Sequence, residues 1–202
     1  MQEPSSDEGG KKEIMRLRPI PPMFYRESEN NPFDACLVCG KHFERDTLYV
    51  VEKAFQTYQP YSSRDLVFEY AMCIDCYQEF SASMSDESRA AMDEYMQGRV
   101  DFDEREEALM NDPDPDTSRW TSSCLVSGKP IQELEGYQAV GLFMGNWMIV
   151  SHLPCVIGSD VIGEIVDKLS NKTIDMLSGF VDEHFPKPPG YEKDIPRPVL
   201  VA

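Results

Sequence analysis

Histidine and tryptophan are scarce in this chain, at three and two residues among 202. So few histidines exclude a His-rich metal tract, and no H-E-x-x-H pair occurs. No G-x-S-x-G elbow, Walker loop or Rossmann glycine fingerprint occurs either, which removes the familiar hydrolase, nucleotide and dinucleotide signatures. No stretch approaches the roughly 18 apolar residues of a membrane span. Residues 1–12 are polar and lack the apolar centre of a secretion signal, so a cytoplasmic location is expected. In that compartment the sequon-like Asn171-Lys172-Thr173 carries no glycosylation meaning. Positive charge is also short: 19 basic residues face 36 acidic ones, for a net charge of −17. Phosphate backbones repel such a surface, which disfavours nucleic acid as a partner. The one basic cluster is Lys11, Lys12, Arg16 and Arg18.

Cysteine, by contrast, is present six times, and four of the six form two C-x-x-C pairs. These are Cys36-Leu-Val-Cys39 and Cys73-Ile-Asp-Cys76, separated by 33 residues. A reducing compartment argues for thiolate ligands over disulfides. A C-x-x-C turn lets both sulfurs of a pair reach one ion, and two pairs complete the tetrahedron that structural zinc takes. Cys36, Cys39, Cys73 and Cys76 are therefore the expected Zn2+ ligands. A thioredoxin-type redox pair fits Cys73 and Cys76 less well, because a second pair stands at chelating spacing. His42, three residues after Cys39, is a weaker ligand candidate and suits the knuckle surface.

The surrounding pattern gives an α+β reading. Residues 1–30 form a flexible or extended arm rich in Ser, Glu and Pro. Thr47–Phe55 and Asp65–Ala71 are β-branched and aromatic, the two strands of a hairpin. The second strand runs into Cys73–Phe80, which has helical spacing. Ser85, followed by Asp86 and Glu87, caps a further helix whose apolar stripe would be Ala90, Ala91, Tyr95 and Met96. This order of knuckle, hairpin and C-x-x-C at a helix start resembles the treble-clef and zinc-ribbon-like zinc fingers, over residues 36–80. The resemblance implies one structural zinc on both cysteine pairs. It implies fold more than function, since the group spans nucleic-acid-binding, ubiquitin-pathway, ribosomal and nuclease proteins.

Asp101 to Asp116 carries eight acidic residues against one arginine, and residues 111–117 are expected to be a linker. Asp112, Asp114 and Asp116 have the spacing of a calcium loop, but Thr117 and Ser123 stand where such a loop needs Gly and Glu. Residues 31–110 thus make a first module and residues 118–186 a second. Cys124-Leu-Val-Ser127-Gly-Lys129 matches Cys36-Leu-Val-Cys39-Gly-Lys41 at five of six positions. A hairpin over Tyr137–Phe143 and Asn146–Val150 follows. His152-Leu-Pro-Cys155 then falls where Cys73-Ile-Asp-Cys76 falls in the first module. Ser159-Asp160 caps a helix with Val161, Ile162, Ile165, Val166 and Leu169 on its buried stripe, and a second helix runs from about Lys172 to His184. The expected architecture is two tandem modules of knuckle, hairpin and helix, the second a degenerate copy, followed by a proline-rich tail at 187–202.

Three readings of Cys124, Ser127, His152 and Cys155 stay open. The copy has lost its metal; or Cys124, His152 and Cys155 hold a second zinc with an open fourth position, as a catalytic zinc does; or all are ordinary buried residues. The function expected is a non-catalytic zinc-binding adaptor with a protein partner, no membrane association, and homo-oligomerisation open. A zinc enzyme using the second cluster, and a nucleic-acid-binding or nucleic-acid-mimicking regulator, are the alternatives.

Overall fold

A computed structural model describes residues 16–58, 63–185 and 195–198. Its centre is one antiparallel sheet made of strands β1 (Arg16–Pro19), β2 (Leu48–Tyr58), β3 (Ser63–Cys73), β4 (Gly136–Met144), β5 (Trp147–Val150) and β6 (Cys155–Gly158). The order is β1-β5-β4-β2-β3, with β6 also on β4. Both expected hairpins are present, but they do not stand apart. Their first strands pair with each other, Glu52 opposite Val140 and Lys53 opposite Ala139. A single buried apolar cluster runs from Phe24 to Phe180 across both halves of the sequence. The chain is mixed α+β around this shared sheet.

Helices α1 (Ile74–Ala82), α2 (Asp86–Gln97), α3 (Phe102–Met110), α4 (Ser159–Val166) and α5 (Asn171–His184) complete the fold. α2 starts where its cap predicts, with the Ser85 hydroxyl accepting the Ser88 amide. Its buried face is Ser88, Met92, Tyr95 and Met96, whereas Ala90 is exposed. α5 is capped in the same way by Ser170 on the Thr173 amide. The two caps also interlock: the Ser85 amide donates to Thr173 Oγ1 (3.1 Å) and the Ser170 amide to Ser88 Oγ (2.9 Å). Two helix N-termini, each with orphan N–H groups, thereby satisfy one another away from water. α4 is capped by Gly158, one residue before the expected Ser159.

The two faces of the sheet are covered differently. Phe180 of α5 packs edge-on against Tyr70. On the opposite face the N-terminal segment packs Phe24 against Phe143. Lys53, 1% exposed, reaches from that face to the Tyr25 carbonyl at 2.6 Å and to Glu69 at 3.0 Å. A buried ammonium is tolerated only with such partners.

The acidic stretch contains more structure than a linker needs. Asp101 caps α3 by accepting the Glu104 amide. Beyond it, Asp112, Asp114 and Asp116 each accept the amide two residues on, a run of three Asx turns. Asp112 also accepts from Trp120 Nε1 at 2.6 Å and pairs with Arg119, and its own carbonyl receives Arg16 and Arg18. Those cationic and amide donors hold the Asp112 carboxyl down near 2; the Arg119 guanidinium is the leading cause. The arm is thus tied to the body at residues 16–18, while Lys11 and Lys12 lie outside the described residues. So does most of the tail; within 195–198, the Arg197 carbonyl accepts from Gln138 and its guanidinium donates to Ser178.

Candidate metal centre

Cys36 and Cys39 sit on a tight knuckle whose shape is fixed by three backbone bonds. The Cys36 amide donates to the Lys41 carbonyl (2.9 Å) and the Gly40 amide to the Cys36 carbonyl (3.0 Å). Gly40 has φ +70°, a left-handed turn that glycine enters without steric cost. The Leu37 amide then docks the knuckle on Ala71 of β3 at 2.8 Å. Two residues further along, Cys73 ends β3 and caps α1, and Cys76 is the third residue of that helix. A strand that turns directly into a helix thus aims both sulfurs back at the knuckle.

The four sulfurs lie within 4.8 Å of one another, the one such group among the described residues. Cys39 Sγ and Cys73 Sγ are 3.8 Å apart. A tetrahedral ion with metal–sulfur bonds of about 2.3 Å requires sulfurs about 3.8 Å apart, so the donor set fits zinc. All six cysteines are free thiols. Burial alone would raise the Cys36 thiol, but amide donors from Cys39, Cys73 and Val38 outweigh it and bring it down to about 7. Burial and the crowding of neighbouring thiols push Cys73 and Cys76 upward. His42 is exposed, on a bridge to Ala35 at the base of the knuckle.

The sequence Cys124–Lys129 builds the same knuckle. The Cys124 amide donates to Lys129 (2.8 Å), the Gly128 amide to Cys124 (2.9 Å), and the Leu125 amide to Val156 (2.7 Å). Gly128 has φ +68°. Counting two residues from Val156, as from Ala71, arrives at Gly158, which caps α4 as Cys73 caps α1. The third residue of α4 is Val161. The backbone therefore places Gly158 and Val161, rather than His152 and Cys155, where the first knuckle has Cys73 and Cys76.

Cys124, His152 and Cys155 do not converge into a ligand group among the described residues. The Cys124 sulfur accepts the amides of Gly158 (3.3 Å) and Ser127 (3.5 Å). Cys155 lies on β6 opposite Val140, and burial pushes its thiol up to about 12 against the pull of Arg105. His152 belongs to the four residues that separate β5 from β6. Its ring meets Phe102 edge-on at 5.2 Å. Its carbonyl accepts Arg105 Nε at 2.7 Å, and the Arg105 guanidinium also donates to the carbonyls of Pro154 and Trp120.

Arg105 is a structural residue that sequence reasoning passed over, since its three acceptors are backbone oxygens with no sequence signal. No helix among the described residues is long and apolar enough to cross a membrane. No protein-family model matches the chain, and neither a curated protein nor a solved structure matches it.

Proposed function

We propose that this chain is a non-catalytic zinc-binding interaction protein whose two halves are treble-clef-like copies sharing one sheet. The observation that carries the functional reading is the closed donor set. Cys36, Cys39, Cys73 and Cys76 together supply four sulfurs, enough to fill the tetrahedron of a structural zinc and leave it no position for water or substrate. In that role the metal ties knuckle, hairpin and helix together, and its binding free energy is folding free energy. A protein partner in the cytoplasm is the reading that suits the acidic surface. The tip of the first knuckle, where Leu37 and Val38 are 37% and 48% exposed, is apolar surface for it.

The duplicate reading draws support from a constant spacing. Ala71 and Val156, Cys73 and Gly158, Ser85 and Ser170, and Ser88 and Thr173 hold matching places and are each 85 residues apart. Matching halves related by a twofold axis would cross where Glu52 faces Val140. Tyr70 and Cys155, again 85 apart, flank that pair in one cross-strand row.

Metal analysis of the purified chain tests the functional reading. One zinc per chain is expected, and a water-exchangeable second zinc would favour the enzyme reading instead. Retention on DNA or heparin at moderate salt would overturn the preference for a protein partner.

A further inference from the structure

The match between the two knuckles extends to the atoms around the sulfur. In the first, the Cys36 sulfur is grouped with those of Cys39 and Cys73. In the second, the Cys124 sulfur accepts the amides of Ser127 and Gly158, the corresponding positions. Cys73 and Gly158 share one backbone conformation, φ −61° and ψ 153° against φ −70° and ψ 151°. Both are helix caps, and Cys76 and Val161 are both the third residue of the helix that follows.

We propose that Cys124, Ser127, Gly158 and Val161 are the four ligand positions of a second tetrahedral thiolate site, of which one thiol remains. The backbone that positions ligands is intact, and only three side chains have been replaced. This inference rests on the duplicate reading above and sharpens it into a register. It also assigns His152 and Cys155 no part in that site. Restoring the thiols should restore a site for a soft divalent cation, each thiol releasing one proton to solvent as it binds.

The replacements differ in difficulty. Ser127→Cys exchanges oxygen for sulfur on an exposed turn, and Val161→Cys shortens a buried aliphatic side chain. At Gly158 an added Cβ would meet Asp160 Oδ1 at 2.6 Å and Leu134 Cδ2 at 2.9 Å. Both are far ends of flexible side chains, and the glycine's φ is one that any residue adopts.

The test is a cobalt(II) titration of the full chain, followed by thiolate-to-cobalt charge-transfer absorption. The unsubstituted chain should bind one equivalent, which reports on the first site and on the closed-site reading by itself. S127C/G158C/V161C should bind two equivalents, with the charge-transfer intensity about doubled. A folded triple variant that still binds one equivalent overturns the proposal. Should circular dichroism find the triple variant unfolded, S127C/V161C decides. It keeps Gly158 and offers three thiols, so a second cobalt should bind, and its absence overturns the proposal. S127C/H152C, which completes Cys124 and Cys155 in the other register, should remain at one equivalent. A second cobalt there overturns the register.

Discussion

The two knuckles share a backbone and differ in what holds it. Each has the same three hydrogen bonds and the same left-handed glycine, Gly40 or Gly128. The first closes on four sulfurs, one of them on exposed Cys39, and its tip residues Leu37 and Val38 face solvent. The second closes on one sulfur and two amides, with Leu125 and Val126 packed against the apolar core. In the function proposed above, one half relies on a metal where the other relies on burial. The contrast teaches that the knuckle is a shape several forces can maintain. It also locates the metal's contribution: the loop and the strand-to-helix junction at Cys73, not the sheet, whose central pairing is formed by both halves.

Removing the metal should give the largest effect and the most direct way to break this comparison. Structural zinc contributes about 10–16 kcal/mol in small fingers, comparable with the whole stability of a domain. Chelation, or Cys39→Ser, should leave the Leu37 and Gly40 amides exchanging freely. The Leu125 and Gly128 amides should keep their protection. Hydrogen exchange resolved by residue reads both at once. Equal loss in the two knuckles would mean that the metal supports the whole sheet and that the halves do not divide the labour as stated.

A second contrast lies in the strands that follow. β3 is continuous for 11 residues, whereas its counterpart in the proposed duplication is broken into β5 and β6 by residues 151–154. The break takes His152 and Pro154 out of the strands, and Arg105 donates to the carbonyls of both. Burial lowers the Arg105 pKa, yet the group stays charged at any ordinary pH. Hydrogen bonds from a charged donor contribute about 1.5–3 kcal/mol each, so Arg105→Met should cost about 3 kcal/mol in urea denaturation. A cost below about 0.5 kcal/mol, the range of ordinary surface changes, would show that the broken strand holds itself.

Next in size comes the row across the centre of the sheet. Tyr70 donates to Glu52 Oε2 at 2.6 Å in a fully buried setting, while Cys155, across Val140, is a buried thiol on β6. Tyr70→Phe should cost about 2 kcal/mol, because a buried acidic side chain loses a donor. Cys155→Ala should cost about 1 kcal/mol, the ordinary value for a core truncation of this size. Equal costs would mean that the two ends of the row are equivalent despite their chemistry.

What could be read from the sequence was local. The C-x-x-C spacing, the β-branched and aromatic runs of β2 and β3, and the Ser85 cap each carry their signal within a few residues. The elements that were missed depend on distant partners. β1 is a four-residue edge strand with a proline, and it is held by Arg16 and Arg18 on a carbonyl 94 to 96 residues away. α3 is too acidic to show an apolar stripe, although Asp101-x-x-Glu104 is a legible capping pattern. The second cluster was matched by residue type, which favoured His152 and Cys155. The helix cap that fixes the register is Gly158, six residues beyond His152, because the break in the strand is invisible to counting.

The smallest expected effect is the sharpest symmetric test. Gly40 and Gly128 have φ of +70° and +68°, and nothing lies within 4 Å of a Cβ built on either. Replacing either by alanine therefore introduces the same backbone strain, about 1 kcal/mol, with no clash to confuse it. The strain should be read out differently in the two halves. The second knuckle folds with the core, so Gly128→Ala should lower global stability by that amount and leave cobalt affinity unchanged. If the first knuckle folds with its metal, Gly40→Ala should weaken cobalt binding about fivefold, the same free energy expressed as an affinity. With saturating metal, its effect on thermal unfolding should persist only as that affinity loss, through mass action on the folded state. If Gly40→Ala left the affinity untouched, the first knuckle would be preformed without metal. The difference between the two halves would then lie in their surfaces rather than in how they fold.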